Sequence, residues 1–230
     1  MLLIMTLTIL SAWLPARQKI LFFSFYSRMI TDAWGLWTGI RLGRENPEKL
    51  DKTKSYVIVC NHVNMLDILI TGTQFRHPVY TLVKKEFLKI PVLKQIIQGI
   101  VIPVDRSSKA SRAKSLQMMI QKLHDGFSLV IYPEGTRNRS DLILQKFHDG
   151  AFNVAISAQV PILPVVILNS KEMQPVNTFR ARPGRAILRF LDPIPTEGMD
   201  LSDTAALKEK VRGIILEQLT ENTKTSLVEL

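Results

Sequence analysis

A histidine and an aspartate five positions apart, in Asn61-His62-Val63-Asn64-Met65-Leu66-Asp67, carry the first candidate chemistry in this chain. An imidazole exchanges protons near neutrality. A carboxylate bonded to one ring nitrogen fixes the tautomer and leaves the other nitrogen as a base. The spacing forbids a shared helical face, because five residues fall about 140° out of phase. His62 and Asp67 can meet only if His62 lies in a turn and Asp67 opens the next helix, so that the carboxylate folds back. The apolar run Tyr56–Cys60 just before them reads as a buried strand. That puts His62 at a strand's carboxyl end, where α/β proteins place reactive groups. On these residues alone, a catalytic dyad and a structural His–Asp hydrogen bond both fit.

Two further segments end the same way. Val130-Ile-Tyr-Pro-Glu-Gly-Thr-Arg137 crowds Glu134, Gly135, Thr136 and Arg137 into the turn after an apolar run. Gly135 lets the backbone approach a ligand, neighbouring N–H groups can meet an anion, and the Arg137 guanidinium suits phosphate. Glu134 could orient an arginine or accept from a substrate hydroxyl. Gly99-Ile-Val-Ile-Pro-Val-Asp-Arg106 is another apolar strand ending in a charged pair. Three such strand ends, carrying His/Asp, Glu/Arg and Asp/Arg, are more than core packing requires.

Rival chemistries fit less well. There is no Gly-x-Ser-x-Gly, and Cys60 falls inside an expected strand, which argues against a serine or cysteine hydrolase. His62, Asp67, His124 and His148 include no tight pair such as His-x3-His, so no metal site is expected.

Together these segments resemble the glycerolipid acyltransferase family, in particular its lysophosphatidate acyltransferases. Asn61-His62 through Asp67 is similar to that family's Asn-His-x4-Asp motif, Gly99–Arg106 to its second motif, Tyr132–Arg137 to its third and Val160-Pro-Ile-Leu-Pro164 to its fourth. Val83-Lys84-Lys85-Glu86-Phe87 resembles the basic segment ahead of the second motif. The resemblance implies that His62 is the general base and Asp67 its partner. It also implies that Lys84, Arg106, Arg137 and the Thr136 turn hold the acceptor phosphate, with Glu134 and Gly135 shaping that site. The donor would be a thioester, acyl-CoA or acyl-carrier protein, attacked directly by the sn-2 hydroxyl of lysophosphatidate with no cofactor. The Val-Pro motif would support the core or the acyl-chain path. One position departs from the pattern. In Lys146-Phe147-His148-Asp149-Gly150, His148 stands where the family often has lysine, and no role is assigned to it. Another lysophospholipid or a lyso-aminolipid as acceptor, or a non-catalytic lipid-binding module, are the alternatives.

The elements that must position these residues follow from the pattern of apolar runs. Tyr56–Cys60, Val79–Val83, Ile100–Val104, Leu129–Tyr132, Ile162–Leu168 and Ala186–Phe190 read as strands. Most are rich in Val and Ile and lack polar alternation, as buried strands of a parallel sheet do. Helical spacing marks Ala110–Leu123, Ala151–Ala158 and Thr204–Leu219 between them. The expected fold is α/β, a mostly parallel central sheet flanked by helices.

Residues 1–14 are apolar but stop at Pro15, short of the ~20 residues a spanning helix needs. No basic stretch precedes them, so a cleaved signal peptide is not expected. A second apolar segment, Ile20–Leu42, is interrupted by Arg28, Asp32 and Arg41, which suits a helix lying in the interface. Trp13, Trp34 and Trp37 suit the headgroup boundary. Gly35, Gly39 and Gly43 form a small-xxx-small face for close helix packing. The expected division is an N-terminal membrane-associated helical hairpin over residues 1–43 and an α/β domain over 44–230; an ordinary buried helix pair is the alternative.

The net charge of +10 is unevenly spread. Ten Lys/Arg lie between Arg76 and Lys122 against Glu86 and Asp105, whereas the tail from Asp192 is net acidic. A basic N-terminal half suits anionic lipid or a phosphorylated substrate. Neither zinc-finger spacing nor an RNP-type motif points to nucleic acid. The single cysteine, Cys60, excludes an intramolecular disulfide and fits a reducing compartment. The expected setting is a membrane surface, monotopic or peripheral, on the cytoplasmic face.

Overall fold

Val57–Cys60 has every side chain buried, and Ile162–Leu168 does too. Such runs are stable as strands only when both faces of the sheet are covered. In the computed structural model they lie at the centre of a seven-stranded sheet. Residues 14–228 are described, except 76, 91–93, 95, 96, 98, 106, 176, 177 and 179.

The elements run α1 (Ala16–Thr38), β1 (Ile40–Glu45), β2 (Val57–Cys60), α2 (Leu66–Gln74), β3 (Val79–Lys84), β4 (Val101–Val104), α3 (Lys109–His124), β5 (Ser128–Ile131), α4 (Gly150–Ala158), β6 (Ile162–Leu168), α5 (Ser170–Met173), β7 (Gly184–Phe190) and α6 (Thr204–Val228). The strand order is β1-β7-β6-β2-β5-β3-β4. All neighbours pair in parallel except β6 and β7. Successive residues of a strand face opposite sides. Val57, Val59 and Leu129 therefore join one core with Leu123 of α3, Phe152 of α4 and Val211 and Ile215 of α6. Ile58, Cys60 and Val130 join a second core with Leu66 and Ile70 of α2 and Trp34 of α1. The parallel order sends the carboxyl ends of β6, β2, β5, β3 and β4 to one edge of the sheet.

The N-terminal region differs from expectation at its boundary with the α/β domain. The first arm of the expected hairpin lies outside the described residues. The second arm ends at Thr38, where Gly39 adopts a left-handed conformation (φ 74°), and the chain turns into β1. Ile40–Glu45 pairs residue for residue with Gly184–Arg189, so a strand straddles the expected boundary at residue 43. Ile40 and Leu42 prolonged the apolar run, and so short a run fits a helix end or a strand equally. The three glycines do not form a helix-packing face. A Cβ on Gly35 would lie 2.5 Å from the Ile40 carbonyl oxygen, one on Gly39 would meet Pro183, and one on Gly43 would meet the Arg185 side chain. No helix among the described residues is long and apolar enough to cross a membrane.

At the opposite edge, His77 is buried in the turn between α2 and β3. Burial chiefly, with Arg17 and Lys52 nearby, holds its pKa below the ordinary value, while Asp51 opposes. The folded chain keeps the imidazole neutral, whereas the unfolded chain protonates it near ~6.5. The associated stability is complete above about pH 6.5 and declines as pH falls below that. A urea midpoint that drops between about pH 7 and 5, and drops less in His77→Gln, is the expected result.

Candidate active site

The site starts at the carboxyl end of β2. Asn61, itself buried, reaches across to β6: its Nδ2 donates to the Ile167 carbonyl at 3.0 Å, and its Oδ1 accepts from the Ile167 N–H at 2.8 Å. It thereby extends the β2–β6 pairing by one residue with a side chain. Asn61→Ala leaves two buried backbone groups of β6 unpaired and is expected to lower unfolding stability by ~1–3 kcal/mol in denaturant titration.

His62 is held by its main chain from two sides. Its N–H donates to Glu134 Oε1 at 2.8 Å, and its carbonyl accepts from the Asn138 N–H at 2.7 Å. The imidazole Nδ1 lies 2.9 Å from Asp67 Oδ2. That same oxygen accepts from the Val63 and Asn64 N–H groups at 2.5 and 2.9 Å. Asp67 is the second residue of α2 and is fully buried. Its carboxylate folds back over the loop it closes, which resolves the unfavourable spacing in the way anticipated. A buried carboxylate beside three N–H donors at a helix N-terminus is well compensated. With Nδ1–H donating to Asp67, Nε2 is the nitrogen left to act as a base. The Tyr132 ring stacks on the imidazole with centroids 4.2 Å apart. Its hydroxyl lies 2.7 Å from Thr71 Oγ1 and donates to the Asp67 carbonyl at 3.3 Å. Burial above all raises the Tyr132 pKa, so the phenol stays neutral and the stack adds no charge.

Glu134 turns inward. It is buried, and its second oxygen accepts from the Gln145 N–H at 3.1 Å, so both oxygens serve the main chain. Burial raises its pKa, opposed by the His62 and Gln145 N–H donors. Gly135 takes φ 73°, a conformation that glycine adopts at no steric cost. In Glu134→Gln one N–H would face an amide NH2 instead of an oxygen. The expected cost is ~1–3 kcal/mol in stability, read by denaturant titration, together with reduced turnover as the His62 backbone shifts.

Three of the remaining candidates, Lys84, Thr136 and Arg137, follow strands whose carboxyl ends lie at the same edge. Thr136 is exposed and Arg137 half-buried in the turn after β5, and Lys84 is exposed at the end of β3. Strands stand ~4.8 Å apart, so Lys84 emerges roughly 10 Å along the edge from His62, two strands over. Arg106 lies outside the described residues. Its neighbour Asp105 pairs with Lys85 at 2.5 Å, and that bond chiefly holds the Asp105 carboxyl well below the usual range. His148 is exposed, donates its N–H to the Pro133 carbonyl at 2.8 Å, and follows the buried Phe147. Val160 and Pro161 lie at the amino end of β6, across the sheet from His62, where the Pro161 carbonyl accepts from the Val57 N–H at 3.1 Å.

Two positioning residues escaped the sequence reading. Asn64 donates through Nδ2 to the Ser170 and Gln174 carbonyls, and its Oδ1 accepts from the Leu66 N–H, tying the dyad loop to α5. Asn138 joins the loop after β5 to His62. Their only signal was an amide side chain beside a reactive residue, which surface loops also carry.

A catalytic-type dyad beside a basic turn on a doubly covered α/β sheet defines the class of protein, and comparison with known proteins agrees. A model of the Acyltransferase family matches residues 41–168, more than half of the chain, and the chain belongs to that family. The human 1-acyl-sn-glycerol-3-phosphate acyltransferase alpha is 30% identical over 77% of this chain and 63% of its own length. The Saccharomyces cerevisiae 1-acyl-sn-glycerol-3-phosphate acyltransferase is 30% identical over 78% of this chain and 59% of its own. The chain thus spans less than two thirds of either relative. The crystal structure of the 1-acyl-sn-glycerophosphate (LPA) acyltransferase PlsC from Thermotoga maritima superimposes with a TM-score of 0.72, at 21% identity, covering 96% of this chain and 95% of that one. That likeness bears on the fold.

Proposed function

We propose that the chain transfers a fatty acyl group from a thioester to the free sn-2 hydroxyl of lysophosphatidate, giving phosphatidate for phospholipid biosynthesis. The observation that carries this reading is the His62 Nδ1 to Asp67 Oδ2 hydrogen bond of 2.9 Å at the carboxyl end of β2. Family membership and the relatives' names support the acceptor.

An alcohol ionises far above neutral pH, near water's ~15.7. His62 Nε2 takes the hydroxyl proton as the oxygen bonds to the thioester carbonyl carbon. The C–S bond then breaks, and the imidazolium returns the proton to the leaving thiolate. Asp67 stabilises the imidazolium in between. Such a base contributes ~10²–10⁴-fold. Lys84, Arg106, Thr136 and Arg137 hold the acceptor phosphate, and the proximity so gained lowers the barrier by up to roughly 7–11 kcal/mol. Glu134 and Gly135 shape that site through the backbone. The donor is acyl-CoA or acyl-carrier protein.

Both substrates are amphipathic, so we place the chain on a membrane surface at the cytoplasmic face, with α1 against one leaflet. Leu21, Phe25, Met29 and Ile30 are exposed along α1, and the Arg28–Asp32 pair can remain in the headgroup layer. The test is incubation of purified protein with a radiolabelled thioester and a panel of lyso-acceptors. Labelled phosphatidate from lysophosphatidate is expected. Label only on another lysolipid would overturn the acceptor, and no labelled ester at all would overturn the activity.

A further inference from the structure

Asn138–Gln145 closes on itself. Asn138 Nδ2 donates to the Leu142 carbonyl at 2.8 Å, and its Oδ1 accepts from Ser140 N–H, Ser140 Oγ–H and Gln145 Nε2 at 3.0, 2.7 and 3.1 Å. This is a compact loop of the omega kind, packed on one of its own side chains. Both ends are fastened to the active site: Asn138 N–H to the His62 carbonyl, and Gln145 N–H to Glu134. A loop stiffened in this way would be expected to hide its apolar residues. Instead its tip presents Leu142 and Ile143 to solvent at 63% and 47% exposure. Arg137, Arg139 and Lys146 flank that tip against Asp141 alone, a net positive collar.

The sheet order gives the tip company. Met65 follows β2, the tip follows β5, and Phe87 and Ile90 follow β3; these three strands are adjacent, with their carboxyl ends at one edge. α1 also ends at this edge, because β1 and β7 start where β6 finishes, and Trp37 near its end is 85% exposed. Exposed apolar tips among basic residues suit an anionic leaflet: apolar side chains enter the acyl region, and lysines and arginines meet phosphate.

We propose that the Asn138–Gln145 loop is an insertion loop. Leu142 and Ile143 enter the acyl region of an anionic leaflet, and the loop's attachment to His62 and Glu134 sets the depth at which the base meets the interface. The inference rests on the acyltransferase reading for its purpose but not for its measurement. In Ile143→Cys, the other thiol, Cys60, is fully buried, so an environment-sensitive fluorophore labels position 143. On vesicles of equal parts phosphatidylcholine and phosphatidylglycerol, the label is expected to shift to the blue and be quenched by spin labels on the acyl chains. The paired variant Leu142→Ser/Ile143→Ser is expected to lose about tenfold of the rate on vesicle-embedded lysophosphatidate while keeping that on a short-chain monomeric acceptor. A label that stays water-like, whether or not the protein sediments with the vesicles, would overturn the proposal. So would a vesicle rate in the paired variant equal to that of an active wild-type preparation. If no variant or wild-type preparation makes ester yet the label inserts, the activity fails and the insertion loop stands.

Discussion

Alanine at position 62 is expected to lower turnover on lysophosphatidate by about 10²–10⁴-fold, a barrier increase of ~3–5 kcal/mol, while the protein stays folded and bound to vesicles. The two bonds that anchor residue 62, to Glu134 and from Asn138, use its main chain and do not need the imidazole. Asp67 keeps its two backbone donors, so the loop retains its shape. What disappears is the base. Steady-state kinetics with circular dichroism on the same preparations checks both halves. A non-catalytic lipid-binding module would retain all its function in this variant.

Asn at position 67 should cost turnover within the same ~10²–10⁴-fold range, for a different reason. The amide oxygen can take over from Oδ2 and accept from Nδ1, Val63 and Asn64. Its NH2 then occupies the buried place of Oδ1, which has no hydrogen-bond partner among the described residues. The turn survives, but the charge that stabilises the imidazolium is gone. Because that charge acts when the imidazole has taken the proton, kcat should fall with little change in the acceptor KM. Asp67→Ala, which also removes the acceptor for two backbone N–H groups, should in addition lower the unfolding midpoint.

Much of this arrangement was legible in the chain. Apolar runs marked six strands, most of them without polar alternation, and the carboxyl ends of five gave the rim; the sixth, β7, runs antiparallel to β6 and ends at the opposite edge. The demand that Asp67 fold back from a helix start was a geometric consequence of five-residue spacing. β1 was not legible, since Ile40–Leu42 continues the apolar run of α1 and only Gly39's left-handed turn separates them. Glu134 looked like a ligand for substrate. Its partners are backbone donors, the His62 N–H brought to it by the adjacency of β2 and β5 and the Gln145 N–H returned to it by the loop after β5, and no local pattern encodes either. Asn64 and Asn138 were hidden for the same reason: a buried amide and a surface amide are spelled alike.

The central claim is that His62, held by Asp67, activates the hydroxyl of a glycerophosphate acceptor. The most direct measurement is the initial rate of labelled phosphatidate formation from a radiolabelled thioester and lysophosphatidate, for wild type and His62→Ala side by side. A wild-type rate that falls by two or more orders of magnitude in the variant is the predicted result; equal rates in the two proteins would contradict it.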